Sequence, residues 1–372
     1  MAVTTTVTMN NFKGEPESLV AAQVAACERV LRSGWWILGQ EVAQFESAWQ
    51  QWLGADHAVG CANGLDAIEI GLRALGIGPG DEVITTPMTA FATVLAILRA
   101  GATPVLADIC ASDAMLDPSS VERCLSPRTK AVLLVHLYGQ IGPVEELGAL
   151  ARQRGVLLLE DCAQAHGARR QGQSAGSFGS FAAWSFYPTK NLGAVGDGGA
   201  LTTADASLAQ TARSLRNYGQ SVRYHHPLVG MNSRLDELQA AILRERLRYL
   251  QQWIVRRREI ADTYSAGIRN PLVTLMPVPS ADRERHANHL FVVTTPHREA
   301  LQAHLQANRV ESLIHYPVPV HEQEPCRGLR RDPRGLGQAE KHAATCLSLP
   351  CHPGLTHEQA QHVVEAVNRF EI

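Results

Sequence analysis

The strongest constraint on the fold is an alternation of two patterns between residues 81 and 162. Short runs rich in Val, Ile and Leu, "DEVITT" (81–86), "TPVLADI" (103–109), "AVLLVHLYG" (131–139) and "GVLLLEDC" (155–162), are separated by helix-like stretches such as "FATVLAILRAG" (91–101) and "VEELGALARQRG" (144–155). The runs are apolar at successive positions, so strands made from them are buried on both faces and need helices as cover. The pattern predicts an α/β protein with a mostly parallel sheet.

A second pattern follows. From Leu235 to Ile268, the residues Leu235, Leu238, Ile242, Leu243, Leu247, Leu250, Trp253 and Ile254 recur at helical spacing. One helix through this segment would run roughly 50 Å at 1.5 Å per residue. After Pro271 the pattern shortens and Pro and His become frequent. The reading is a large domain with its N-terminal segment over residues 1–250 and a small C-terminal domain over 251–372, joined by the helix. The Arg256-Arg257-Arg258 run on that helix reads as a solvated face.

Charge and hydropathy exclude several functions. A formal net charge of −2 gives no footprint for nucleic acid. No apolar run approaches the ~18 residues needed to cross a bilayer, and the N-terminus lacks a basic then apolar leader, so a cytoplasmic protein is expected. Eight cysteines are scattered without a CxxC pair and read as reduced, mostly buried hydrophobes. There is no G-x-x-x-x-G-K-[ST], G-x-G-x-x-G after a strand or H-E-x-x-H, so nucleotide-loop, dinucleotide and zinc-protease chemistries lose their support, and no metal is expected.

What remains is a lysine. The sequence pools 34 Lys and Arg, of which four are lysines: Lys13, Lys130, Lys190 and Lys341. Lys190 lies in "FGSFAAWSFYPTKNLGAVG", which carries no other formal charge. Apolar surroundings disfavour an ammonium, lower its pKa and release the nucleophile that Schiff-base chemistry needs. The bland alternative is a lysine that snorkels from a loop. Asp161 ends an apolar strand in "GVLLLEDCAQAHG", at the strand edge where α/β sheets bind ligands, although Asp is also common there as a helix cap. A carboxylate and an activated lysine in one crevice suggest pyridoxal phosphate, whose ring nitrogen an Asp partners. The Asn63-Gly64 helix start could take the phosphate, with Ser185 adding a hydroxyl, and Phe91 could lie over the ring; each is also an ordinary helix start, buried serine or core phenylalanine.

Taken in order, "NGLDA", "GIGPGDEVI", "VHLYGQ", "EDCAQAHGA", "SFYPTKNLGAVGDGGA" and "GMNSRLDELQAAIL" resemble the DegT/DnrJ/EryC1/StrS sugar aminotransferases over essentially the whole chain. The resemblance implies the aspartate-aminotransferase-like fold type I of pyridoxal-phosphate enzymes, with a large mixed, mostly parallel sheet domain and a small α+β domain. It implies that Lys190 bonds to the cofactor aldehyde and later moves the proton. Asp161 would hold the ring nitrogen, Gln164 the ring hydroxyl or face, Phe91 the opposite face, and Ser185 with the Gly64-Leu65 backbone the phosphate. Asn232 would reach the phosphate from a second subunit, which implies a homodimer with shared sites. Leu65 stands where many members have threonine, so a hydroxyl to the phosphate is missing. "NGLDA" with "VHLYGQ" is similar to members acting at C3 of a keto sugar, such as those making dTDP-3-amino-3,6-dideoxyhexoses, with L-glutamate as expected donor. His315, Tyr316 and His321 are expected near the sugar or its nucleotide. The family's dehydratase branch has histidine at the lysine position, so Lys190 disfavours deoxygenation. Alternatives are a 4-keto sugar or keto cyclitol as acceptor, and a non-catalytic regulator that keeps the cofactor.

Overall fold

The computed structural model describes residues 6–276 and 282–372. Helices α1 (Glu17–Ser33) and α2 (Gln40–Leu53) precede strand β1 (His57–Cys61), after which come α3 (Gly64–Ala74), β2 (Glu82–Thr85), α4 (Phe91–Arg99), β3 (Thr103–Leu106), α5 (Pro118–Cys124), β4 (Thr129–Val135), α6 (Val144–Arg154) and β5 (Leu157–Asp161). A small hairpin, β6 (Arg169–Arg170) and β7 (Gln173–Ser174), leads to β8 (Ala182–Ser185), β9 (Gly199–Thr203), α7 (Ala206–Leu215) and α8 (Glu237–Gly267). The four expected strands and the two helices between them are present, although β3 and β4 end at Leu106 and Val135, before the ends of the apolar runs.

The main sheet has seven strands in the order β1-β9-β8-β5-β4-β2-β3. β9 pairs antiparallel with both neighbours, and the other pairings are parallel. Strand alternation divides the side chains between two cores. Val132, Leu134, Leu158, Ala182 and Trp184 face a core shared with α2, α6 and α8. Ala131, Leu133, Leu159 and Ala183 face a core shared with α3, α4 and α7. By the same alternation Glu160 belongs to the first face and Asp161 to the second.

The apolar stripe yields the single helix α8, 31 residues long. Leu243, Leu247, Leu250 and Ile254 pack in the first sheet core. Ile260, Ala261 and Tyr264 pack in a separate core with β11 (Phe291–Thr294), β12 (Cys346–Leu349) and α11 (His357–Asn368), the last two following α9 (Arg298–Ala307) and α10 (Gly337–Thr345). β10 (Thr274–Leu275), β11 and β12 form a small antiparallel sheet. The expected boundary near residue 250 falls inside α8. Val7 packs in this C-terminal core and pairs with Val310.

The arginine run needs correction. Arg257 is buried and donates to the carbonyls of Asn288, His289 and Cys351. Arg258 donates to those of Gly167, Glu284 and His286, and Arg256 to that of Leu355. Successive helix residues point about 100° apart, so a triplet cannot share one solvated face. The run ties α8 to the loops around it.

Candidate active site

The carboxyl edge of the sheet gathers the groups that matter. Gly199 opens β9 opposite both Ser185 and Cys61, the last residues of β8 and β1. A Cβ at Gly64 would fall 2.8 Å from the Cβ of Ser185, and one at Gly199 would fall 2.8 Å from the Gly64 nitrogen. Glycine at both places lets the start of α3 settle against the end of β8. Asn63 caps the helix by accepting the Asp66 N–H at 2.8 Å. The N–H groups of Gly64 and Leu65, in the first turn, have no acceptor within the helix, and with the helix dipole they favour an anion beside the Ser185 hydroxyl.

Asp161 ends β5 on the face shared with α4 and is buried. Its Oδ2 accepts the Thr93 hydroxyl at 2.8 Å, and its Oδ1 accepts the Ala163 N–H at 3.1 Å. Thr93 lies two residues after Phe91, the first residue of α4, which is half-buried at the same edge. Gln164 is buried, and its Oε1 accepts the Tyr138 N–H at 2.5 Å while its Nε2 donates to the Tyr316 hydroxyl at 3.2 Å. His315 meets the Ser348 hydroxyl through Nδ1 at 2.9 Å. His315, Tyr316 and Gln164 therefore belong to one hydrogen-bonded region.

Lys190 sits in the loop between β8 and β9. The loop is closed by Phe186 N–H to Gly198 O and Ala194 N–H to Phe186 O, both at 2.7 Å, and by Lys190 N–H to Tyr187 O at 2.8 Å. Part of the lysine surface stays open, yet protein packed around its amine strips solvation from the ammonium and brings the pKa down to about 8. The Asp161 carboxylate, the weaker influence, acts in the opposite direction. Burial, and secondarily the Lys190 charge, lowers His166 to about 3 and His315 to about 4, and holds His289 well below its usual range. Three neutral imidazoles thus neighbour the amine. A cavity of about 530 Å³ also opens beside Lys190, lined by Phe12, Tyr249, Trp253, Arg257 and His352. Asp161, Gln164, Phe91 and Ser185 are not among its lining residues, so it adjoins the assembled groups without being their site.

Two expected residues lie elsewhere. Asn232 is exposed at the base of the loop from Asn217 to Asn232, where those two residues bridge. His321 is buried and pairs with Glu340 at 3.1 Å. Residue-level reading missed Thr89 and Thr93, whose spacing of four around Phe91 was the available signal. It also missed Asn191, which donates to Ala287 O at 3.0 Å and whose Oδ1 lies 3.4 Å from His289 Nδ1. Among the described residues, His136, Glu160 and Cys162 are the one group with metal-like spacing. Glu160 is already occupied by N–H groups of Gly176, Phe178 and Gly179 and by His136 Nε2 at 2.9 Å. Its chemistry is that of a satisfied buried carboxylate.

An amine poised for Schiff-base formation, a buried carboxylate on the same edge and a glycine-lined anion cradle fit pyridoxal phosphate. With the seven-stranded mixed sheet they define a pyridoxal-phosphate-dependent aminotransferase of fold type I. The chain belongs to the DegT/DnrJ/EryC1/StrS aminotransferase family, whose model matches residues 17–368. It is 44% identical over 369 residues to dTDP-3-amino-3,4,6-trideoxy-alpha-D-glucose transaminase of Streptomyces venezuelae, covering 99% of this chain and 97% of the relative. It is 46% identical over 345 residues to dTDP-3-amino-3,6-dideoxy-alpha-D-galactopyranose transaminase of Aneurinibacillus thermoaerophilus, covering 93% and 94%. The crystal structure of S. venezuelae DesV in complex with a ketimine intermediate superposes with a TM-score of 0.94 at 44% identity, covering 98% of each chain.

Proposed function

We propose that the protein transfers an amino group from L-glutamate to the C3 ketone of a dTDP-linked deoxyhexose. The observation that carries this reading is the near full-length identity to two transaminases named for 3-amino dTDP sugars. A bound pyridoxal phosphate would supply an electrophilic aldehyde carbon and a ring that delocalises charge at the reacting carbon. The chain's residues do the rest. Asp161 would hold the ring nitrogen, Phe91 and Gln164 would confine the ring, and the Gly64-Leu65 N–H groups with Ser185 would hold the phosphate. Lys190, whose desolvated amine gives up its proton more readily than an ordinary lysine, is the base that carries the proton across the reacting carbon. His315 and Tyr316, tied to Gln164 through the Tyr316 hydroxyl, flank the acceptor sugar.

The working unit is a homodimer with shared sites. Exposed apolar residues support it: Trp35 is 63% exposed, and Tyr224 and Val229, on the loop that ends at Asn232, are 78% and 86% exposed. A second copy would cover them and bring Asn232 to the phosphate. The test is turnover. Purified protein with glutamate and a panel of 3-keto and 4-keto dTDP sugars and keto cyclitols should aminate the 3-keto dTDP sugar fastest. Lys190→Ala should lower that rate by roughly a thousandfold. Preference for another ketone would overturn the substrate assignment, and a cofactor that glutamate fails to discharge would point to a regulator.

A further inference from the structure

Asp161 is not held by Thr93 alone. The Thr89 and Thr93 hydroxyl oxygens are 2.7 Å apart, and both residues are buried. A hydroxyl has one proton to give. Thr93 donates its own to Asp161 Oδ2, so the contact with Thr89 must run the other way, with Thr89 donating. The order is Thr89 to Thr93 to Asp161, and each donor polarises the next. The Ala163 N–H on Oδ1 completes a carboxylate with one fixed donor on each oxygen. Both oxygens keep a second lone pair for a ligand.

The position of Thr93 adds a second consequence. It is the third residue of α4, and Phe91 is the first. The hydroxyl that steadies Asp161 therefore also pins the helix that presents Phe91. The group that would meet the ring nitrogen and the group that would cover the ring face are set relative to each other by one side-chain hydrogen bond.

We propose that Thr89 and Thr93 form a one-way hydroxyl relay that fixes the orientation of the Asp161 carboxylate toward the cofactor's ring nitrogen and locks Phe91 to it. Thr93 is a positioning residue in this scheme, since it acts through Asp161. The proposal rests on the reading of Asp161 as the ring-nitrogen partner. Val replaces Thr with nearly the same shape and no hydroxyl, whereas Ser keeps the hydroxyl.

The experiment measures pyridoxamine phosphate binding by calorimetry in a Lys190→Ala background, where no covalent link contributes. Thr93→Val should weaken binding on the order of tenfold or more, as expected for a lost hydrogen bond to a charged group. Thr93→Ser should stay within about threefold, and Thr89→Val should fall between them. An analogue with carbon in place of the ring nitrogen should lose clearly less affinity on Thr93→Val than pyridoxamine phosphate does, since only the Phe91 contact is then at stake. Melting of the cofactor-free proteins separates these effects from misfolding. If Thr93→Val binds pyridoxamine phosphate as tightly as its parent, or loses affinity equally for the carbon analogue, the relay is overturned while glutamate turnover by the Lys190 protein leaves the transaminase reading intact. If the parent itself fails to bind pyridoxamine phosphate, the cofactor reading fails first.

Discussion

Lys190 shows what a single residue contributes when its surroundings do the tuning. An ordinary lysine amine titrates at about 10.4 and offers almost no free base near neutrality. With the pKa brought down to about 8 by desolvation, the unprotonated fraction rises roughly fivefold between pH 7 and pH 8 and saturates about a unit above. Covalent capture of pyridoxal phosphate by cofactor-free protein, followed by stopped-flow absorbance, should therefore gain rate with a midpoint near pH 8. A free lysine derivative should keep accelerating past pH 9, so coincident profiles would remove the role given to burial. The settings of Lys190 and Asp161 were legible because they are local: an uncharged stretch, and the end of an apolar strand. Thr93 was not, because its partner Asp161 lies 68 residues away and no local pattern announces the pairing. The arginine triplet misled for a related reason. Composition reports the charges, but only the packing around α8 decides which of three directions is buried.

At the scale of elements, the helix starts are fixed by acids and glycines from distant segments. α2 begins after Gly39, and no side chain of its own caps it. The buried carboxylate of Glu237, at the start of α8, accepts the N–H groups of Gly39, Glu41 and Val42 at 2.8, 2.8 and 2.9 Å. One anion so answers three orphan donors and the helix dipole. Glu237→Gln should cost roughly 1–3 kcal/mol and lower the melting midpoint by a few degrees. A melting curve unchanged from wild type would show that the cap contributes little. The start of α3 depends on Gly199 instead. Gly199→Ala would drive a methyl group into the Asn63-Gly64 peptide and shift the phosphate cradle, weakening cofactor binding about tenfold. Equilibrium dialysis against pyridoxal phosphate measures this, and unaltered affinity would argue that the cradle lies elsewhere. The strands and helices between residues 81 and 162 could be read because periodicity is a local signal. The reversed direction of β9 could not, since a five-residue strand such as Gly199–Thr203 reads the same whichever way it pairs.

The whole molecule consists of cores that share one rod. α8 packs against the sheet at one end and against the C-terminal strands and helices at the other, and its length was readable from the stripe alone. Among the described residues no helix is long and apolar enough to cross a membrane. The exposed aromatic and aliphatic residues around Trp35 and Val229 make the proposed dimer testable without an assay of each site. Lys190→Ala and Asn232→Ala proteins, each defective alone at limiting cofactor, should regain about a quarter of wild-type activity after mixing and exchange, because half the dimers then hold one intact pair. No recovery, with exchange confirmed by mass, would place Asn232 outside the site.

The closed loop between β8 and β9 carries one more consequence, for anyone who edits this chain. Its ends are pinned at Phe186, Ala194 and Gly198, and Lys190 is counted off from Tyr187 by a single turn. Adding one residue between 187 and 190 would displace the amine by up to ~3.5 Å, more than a covalent bond can follow. Additions between 194 and 198 could bulge outward and leave the amine where it is. The position of the Lys190 amine is thus metered by chain length, and the tolerance for insertions should change sharply from one side of Lys190 to the other.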